Sequence, residues 1–139
     1  MFLLDTGVIS ELRKARAGKA DRNVVRWIRS VAASDLYVSI IAIQELEVGV
    51  LLAERGDPAN GVLLRSWLDD HVLPAFAERI LPIDAAVARR SAALHVSDPR
   101  PVRDTMMAAT ALTHGMTIAT RNVADFDRTD VMLLNPWTA

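Results

Sequence analysis

The chain of 139 residues contains no cysteine, which excludes disulfide scaffolds, zinc–cysteine sites and thiol nucleophiles. It has no apolar run close to the roughly 20 residues that a membrane span requires. No basic and apolar leader precedes the first acid, Asp5. The six glycines form no glycine-rich phosphate-binding loop. We therefore expect a soluble, cytoplasmic protein without a membrane partner, whose chemistry rests on oxygen and nitrogen side chains.

An excess of charge of one sign is also lacking. The 16 basic and 17 acidic residues leave a net charge of −1, which argues against a protein that binds nucleic acid through bulk charge. Hydrophobic residues make up 51% of the chain, enough to bury a core without disulfides or metals. No linker or repeat divides the sequence, and we expect a single domain over residues 1–139.

The basic residues are concentrated in one stretch. Between Arg13 and Arg29 there are seven basic residues and one acid, and 14 of the 16 basic residues are arginine. Arg22, Arg26 and Arg29 recur on one helical face, opposite a set of apolar residues. This pattern fits either a solvated helix face or a surface that contacts phosphates, and the spacing alone leaves both interpretations open.

Apolar runs and turn residues predict short strands that alternate with helices. Strands are expected over residues 2–5, 36–40, 80–83, 117–120 and 131–134. Helices are expected over residues 10–14, 22–33, 41–55, 59–73, 85–96 and 102–114. This alternation is typical of an α/β fold in which helices cover both faces of a mostly parallel sheet. Sites in such sheets form beyond the carboxyl ends of the strands.

Three acids occupy positions that suggest a shared site. Asp5 closes the first predicted strand. Helical periodicity places Glu45 and Asp104 on apolar faces, Glu45 with Ile41, Val48, Gly49 and Leu52, and Asp104 with Met107, Ala108, Ala111 and Leu112. A buried carboxylate needs a cation, a hydrogen-bond network or a metal. For either helical acid, a buried arginine or a solvent-exposed rim is the alternative.

A fourth acid follows the strand predicted at 117–120. Asp125 is the first candidate, Asn122 offers a neutral oxygen, and Asp127 is better explained as a turn cap. Carboxylates gathered at one end of a parallel sheet suit hard cations such as Mg²⁺ or Mn²⁺. A metal held in this way can generate hydroxide for attack on a phosphoryl group.

Two rival chemistries fit the sequence less well. Asp5, Thr6 and Gly7 spell the Asp-Thr-Gly motif of aspartic proteases, but those enzymes are nearly all β and this chain has six predicted helices. A phosphatase with Asp5 as its nucleophile would need a second acid beside Asp5 and a lysine near the later strand, and neither is present. The three histidines show no metal-ligand spacing.

Four sequence blocks resemble one family in order and spacing. The first is MFLLDTGVISELRK (1–14) and the second is SIIAIQELEVGV (39–50). The third and fourth both lie within VRDTMMAATALTHGMTIATRNVADF (102–126), and the ending LLNPW (133–137) matches as well. Together they resemble the PIN-domain ribonucleases, specifically the VapC and FitB-like toxins of type II toxin–antitoxin systems. The resemblance implies a PIN-like three-layer fold. It also implies that the metal-binding and catalytic acids are Asp5, Glu45, Asp104 and Asp125. Gly7 departs from the family's usual asparagine.

The resemblance also implies an activity and partners. It indicates an Mg²⁺- or Mn²⁺-dependent endoribonuclease toxin that hydrolyses RNA by metal-activated water. The partners would be a cognate antitoxin and a second copy of the chain, with DNA contacted only through the antitoxin. RNA phosphates would be contacted by Arg22, Arg26, Arg29 and Arg121. The alternative is a PIN-like module that binds RNA or protein without cleavage. We also expect an antitoxin Arg or Lys to lie beside Asp5, Glu45 and Asp104.

Overall fold

A five-stranded, entirely parallel sheet runs through the protein, in a computed structural model that describes residues 1–139. The strands are β1 (Phe2–Leu4), β2 (Leu36–Ser39), β3 (Ile80–Leu81), β4 (Thr117–Ala119) and β5 (Leu133–Leu134). Their order is β3-β2-β1-β4-β5, and every neighbouring pair is parallel. The predicted α/β fold is confirmed. Because the strand order reverses at β1, the carboxyl ends of β1 and β4 border the crevice in which such folds bind ligands.

Seven helices surround the sheet. They are α1 (Thr6–Arg16), α2 (Arg22–Ser30), α3 (Ile40–Gly56), α4 (Pro58–Trp67), α5 (Leu73–Ala75), α6 (Ala85–Ser97) and α7 (Val102–His114). A π turn over Leu68–Val72 joins α4 to α5, and a 3₁₀ turn over Val123–Phe126 follows β4. None of these helices combines the length and the apolar composition that crossing a membrane would need.

The sheet separates two apolar clusters, which makes the fold three-layered. Successive side chains of β1 point to opposite faces, so Leu4 joins one cluster and Leu3 the other. The Leu4 cluster includes residues of α1, α2 and α3, and the Leu3 cluster includes Met107, Ala108 and Ala111 of α7. A central strand buried on both faces explains why Phe2–Leu4 is a continuous apolar run.

Some predicted boundaries differ from the structure. Helix α1 begins at Thr6 rather than at residue 10, because Asp5 accepts a hydrogen bond from the Thr6 amide and caps the helix directly. The edge strands β3 and β5 are two residues each, shorter than predicted. Pro82 follows β3, and left-handed backbone at Arg128 and Asp130 (φ 63° at both) keeps the chain out of an extended strand before β5.

The prediction of which face of α3 is buried was wrong. Val48 and Leu52, which share an arc with Glu45, are 48% and 62% exposed, whereas Ala42, Leu46 and Val50 form the buried face. Apolar residues surround most of α3, so their periodicity did not single out one face. On α7 the prediction is confirmed, because Asp104 is buried together with Met107, Ala108 and Ala111.

Candidate functional site

Asp5 is fixed at the carboxyl end of the central strand. It is 4% exposed, and both of its carboxylate oxygens accept hydrogen bonds from the chain. Oδ1 accepts from the Thr6 amide at 2.9 Å, and Oδ2 accepts from the Thr120 hydroxyl at 2.7 Å. Because β1 pairs with β4, Thr120 directly beyond β4 lies next to Asp5. The sheet register therefore sets the position of this carboxylate.

Glu45 reaches the same place from α3. Its Oε1 accepts a 2.6 Å hydrogen bond from the Thr6 hydroxyl, the residue next to Asp5. The Glu45 side chain is 38% exposed and lines an open cavity of about 470 Å³ together with Ile41, Gln44 and Val48. Glu45 therefore lies at the solvent-facing rim of the site, not in the core as the sequence predicts.

Asp104 approaches from the first turn of α7. It is 8% exposed, and burial raises the pKa of its carboxyl above the ordinary value. The hydrogen bond and charge of Arg103 lower this pKa, whereas the charges of Asp125 and Asp5 raise it further. The net upward shift means that ionised Asp104 is held at a cost, in a cluster where negative charge predominates.

Arg103 of this same chain lies among the three acids. Its Nη2 donates to Asp5 Oδ1 and, at 2.9 Å, to Glu45 Oε1. Its Nε donates to Glu45 Oε2 at 3.1 Å, and its Nη1 donates to Asp104 Oδ1 at 3.2 Å. Burial alone would lower the pKa of this guanidinium, but the hydrogen bond with Glu45 and the charge of Asp5 raise it. The cation is therefore permanently charged and shared by three carboxylates.

Helical periodicity predicts a polar, solvent-facing position for Arg103 on α7, and the structure places its guanidinium in the site instead. Its long side chain folds back over the acids and is only 27% exposed. Thr6 and Thr120, the two hydroxyl donors, were missed as well. A usable signal exists for all three residues, because Thr6 and Arg103 lie directly beside predicted site acids and Thr120 is the last residue of a predicted strand.

The fourth predicted acid is less constrained. Asp125 is exposed, on the 3₁₀ turn that follows β4, and its charge contributes to the raised pKa of Asp104. Arg100 holds this turn by donating to the backbone oxygens of Asp125 and Asp127, at 2.6 and 2.7 Å. The exposed Asn122 side chain makes no hydrogen bond, whereas the backbone N–H of Asn122 donates to the Thr120 hydroxyl oxygen at 3.0 Å. Among the other three acids, the charge of Asp125 affects the pKa of Asp104.

The donor chemistry of this cluster fits a hard divalent cation. All the candidate metal ligands are carboxylate oxygens, and three of the carboxylates already contact the Arg103 guanidinium. As the side chains are placed, no three acidic or histidine groups are close enough together to hold a single metal ion. The carboxylates are instead arranged around the Arg103 guanidinium. The residue types fit Mg²⁺ or Mn²⁺, and their present positions fit a guanidinium.

The predicted basic residues lie in two places. Arg22, Arg26 and Arg29 are exposed and line an open cavity of about 350 Å³ with Gly18, at the far end of α1 from Asp5. None of the three pairs with a carboxylate. Helix α1 has 11 residues and spans about 16 Å, which separates Asp5 at its start from its end beside this cavity. Arg121 lies beside Thr120, with its guanidinium 5.2 Å from the Trp137 ring centre.

Comparison with known proteins decides the family. The model of the PIN domain matches residues 2–132, nearly the whole chain. The chain belongs to the PIN domain family. Among curated relatives it is 39% identical to the toxin FitB of Neisseria gonorrhoeae, covering 99% of each chain. It is 36% identical to the VapC ribonuclease Y4jK of Sinorhizobium fredii, covering 99% of this chain and 98% of the relative. The resemblance to VapC and FitB-like toxins is confirmed.

Two solved structures share this fold over the whole length, or nearly the whole length, of the chain. The crystal structure of FitAcB from Neisseria gonorrhoeae matches with a TM-score of 0.90 and 36% identity, covering 100% of both chains. The structure of FitAB bound to the IR36 DNA fragment matches with a TM-score of 0.86 and 37% identity, covering 99% of this chain and 96% of that one. The PIN-like three-layer architecture is thereby established.

Proposed function

We propose that this PIN domain is a metal-dependent endoribonuclease toxin. The observation that carries the proposal is that Asp5, Glu45 and Asp104 converge on one positive group, the Arg103 guanidinium, at the carboxyl ends of β1 and β4. Asp125 lies on the turn beyond β4. Oxygen-only clusters of this kind serve phosphoryl chemistry, and a relative covering the whole chain is named a VapC ribonuclease. RNA is therefore the proposed substrate class.

The proposed metal is Mg²⁺ or Mn²⁺, held by Asp5, Glu45, Asp104 and Asp125. When bound, it would lower the pKa of a water molecule and neutralise charge on the phosphate. The chain's own contribution is positioning. Thr6 and Thr120 orient Asp5 and Glu45 through hydrogen bonds that do not depend on a bound cation. The buried Asp104 presents its carboxylate to the crevice from a rigid helix.

The test is incubation of the purified chain, free of any antitoxin, with total RNA in Mg²⁺, Mn²⁺ or EDTA. We expect discrete fragments only with metal, and a loss of about 100-fold or more in Glu45→Gln. Glu47→Gln is the matched control, because Glu47 lies on the same helix but pairs with Arg65 at 2.6 Å. Cleavage in EDTA, or equal losses in the two variants, would contradict the proposal.

Contacts to RNA beyond the acids are proposed for Arg22, Arg26, Arg29 and Arg121. The first three are free of carboxylate partners and line one cavity, which leaves their charge available to phosphates. Replacing these three with Gln should weaken RNA binding and reduce the dependence of log K on log salt by up to about 2. Fluorescence anisotropy across a salt series measures this slope. An unchanged slope would show that these residues form a solvated helix face that does not contact RNA.

We also propose a cognate antitoxin and a homodimer, with DNA contacted only through the antitoxin. Large apolar side chains are exposed on α3 and α4, namely Val48, Leu51, Leu52, Val62 and Leu63. The structural relative FitAB was solved with DNA bound. Light scattering of the isolated chain tests the dimer. A monomer at micromolar concentration would contradict it.

One observation favours a second function, a PIN-like module that binds RNA or protein without cleavage. Arg103 neutralises part of the acidic cluster, so the cluster would not repel phosphate as strongly as four uncompensated acids. The cleavage assay separates the two functions. RNA binding without metal-dependent fragments would support the module.

A further inference from the structure

The position of Arg103 has a physical consequence for metal binding. Three of the guanidinium nitrogens donate to carboxylates of three different elements, the cap of α1, helix α3 and helix α7. These contacts occupy oxygen lone pairs that a metal would need. An arginine cannot lose its proton under ordinary conditions, so it can free those oxygens only by moving away.

The three carboxylates depend on Arg103 to different degrees. Asp5 keeps hydrogen bonds from Thr6 and Thr120 without it, and Glu45 keeps the Thr6 hydroxyl. The Asp104 carboxylate has no donor other than Arg103. If the guanidinium left, two acids would stay in place while the third lost its only partner. One cation could therefore replace another in the cluster while Asp5 and Glu45 keep their positions, and the Asp104 carboxylate would be the group that moves.

A route for the side chain also exists. Arg103 is 27% exposed and lines the open cavity of about 470 Å³ beside Glu45. Because its stem is unbranched, rotation about the side-chain bonds of Arg103 would carry the guanidinium toward this cavity.

We propose that the Arg103 guanidinium and a divalent cation are alternative occupants of the same carboxylate cluster. Arg103 serves as an internal counter-ion that stabilises the metal-free chain and lowers its affinity for metal. This inference rests on the proposed metal-dependent function and assigns that site a built-in competitor. The two cations compete because they need the same oxygens, and linkage makes the effect reciprocal.

The test compares wild type with Arg103→Met, which keeps most of the side chain's length and removes its charge. In EDTA we expect the melting temperature of Arg103→Met to fall by roughly 5 °C, since repelling carboxylates lose their partner. Calorimetric titration with Mn²⁺ should show roughly tenfold tighter binding than wild type, and saturating Mn²⁺ should close the gap in melting temperature. Arg65→Met is the matched control, because it removes the same charge from among three acids outside the cluster, Glu47, Glu54 and Asp69.

The outcomes distinguish this inference from the proposed function. Equal or weaker Mn²⁺ binding by Arg103→Met would overturn the internal counter-ion and leave the metal site standing. No Mn²⁺ binding by either protein would overturn both.

A measurement on the wild type keeps the test valid if Arg103→Met does not fold. The Nε–H resonance of Arg103, identified by its loss in Arg103→Lys, should be protected from solvent exchange in EDTA and lose that protection with saturating Mg²⁺. Protection that Mg²⁺ leaves unchanged would overturn the inference.

Discussion

Thr120→Val removes one hydroxyl from the most buried part of the acidic cluster. Thr120 is 0% exposed, and its hydroxyl donates to Oδ2 of Asp5 at 2.7 Å. Valine has nearly the same shape, so the change opens no cavity. It leaves Asp5 Oδ2 without its donor, and it leaves the backbone N–H of the exposed Asn122, which water can reach, without its acceptor. Asp5 is 4% exposed, so water cannot easily replace the hydroxyl.

The expected cost follows from the charge of the acceptor. A hydrogen bond to a charged group contributes about 1.5–3 kcal/mol, and we take about 2 kcal/mol for this one. In a domain of 139 residues, that is a fall in melting temperature of roughly 8 °C. The measurement is urea unfolding followed by circular dichroism at pH 7 in EDTA, so that metal binding does not mask the effect.

Thr110→Val provides a matched control for Thr120→Val. Thr110 is also 0% exposed, but its hydroxyl donates only to the Met106 carbonyl, one turn earlier in the same helix. That carbonyl already belongs to the helical ladder, so its loss should cost less than about 0.5 kcal/mol. If the two variants lose equal stability, the hydroxyl of Thr120 does not support Asp5 as argued here.

Three further predictions test other parts of the structure. In EDTA at pH 7, Asp104→Asn should be at least as stable as wild type. Because the pKa of Asp104 is raised in the folded state, protonation of Asp104 stabilises the fold, and this stabilisation is lost as pH rises through the folded-state pKa. The difference in stability between Asp104→Asn and wild type should therefore vanish as pH falls to the ordinary aspartate pKa. Strong destabilisation at pH 7 would instead identify a structural ion pair. Arg100→Gln should speed hydrogen exchange over residues 123–127, where the backbone oxygens of Asp125 and Asp127 each lose a donor. Unchanged exchange there would show that Arg100 does not hold this turn. Gly61→Ala should destabilise by about 1–3 kcal/mol, because its Cβ would lie 2.6 Å from backbone of α3, whereas Gly49→Ala, with open space, should stabilise by about 0.5–1 kcal/mol.

Periodicity and strand-end position were enough to place two of the four acids, Asp5 and Asp104. Asp5 follows an unmistakable apolar strand, and Asp104 interrupts a helix face that is otherwise apolar, so both stand out. For Glu45 the inward prediction was wrong, although the residue does reach the site. Helix α3 is apolar around most of its surface, and only the packing of α4 and the sheet decides which face is buried.

The counter-ion could not be derived from periodicity. The helical position of Arg103 is a half-buried one, and the side chain reaches the acids only through its long stem. Its partners come from segments about 60 and 100 residues away, at Glu45 and Asp5. A buried arginine was one of the alternatives for the two helical acids, but the sequence did not indicate which arginine, and a cation beside all three acids was expected from an antitoxin. The structure supplies Arg103 from the chain itself.

The most direct test of the account asks whether the four acids hold one divalent cation. Substoichiometric Mn²⁺ broadens backbone amide signals within a short distance of its binding site. We predict selective broadening around Asp5, Glu45, Asp104 and Asp125, removed by EDTA. A second acidic group surrounds Arg65 on α4, with Glu47, Glu54 and Asp69. Broadening confined to that group, or none at the four acids, would contradict the account.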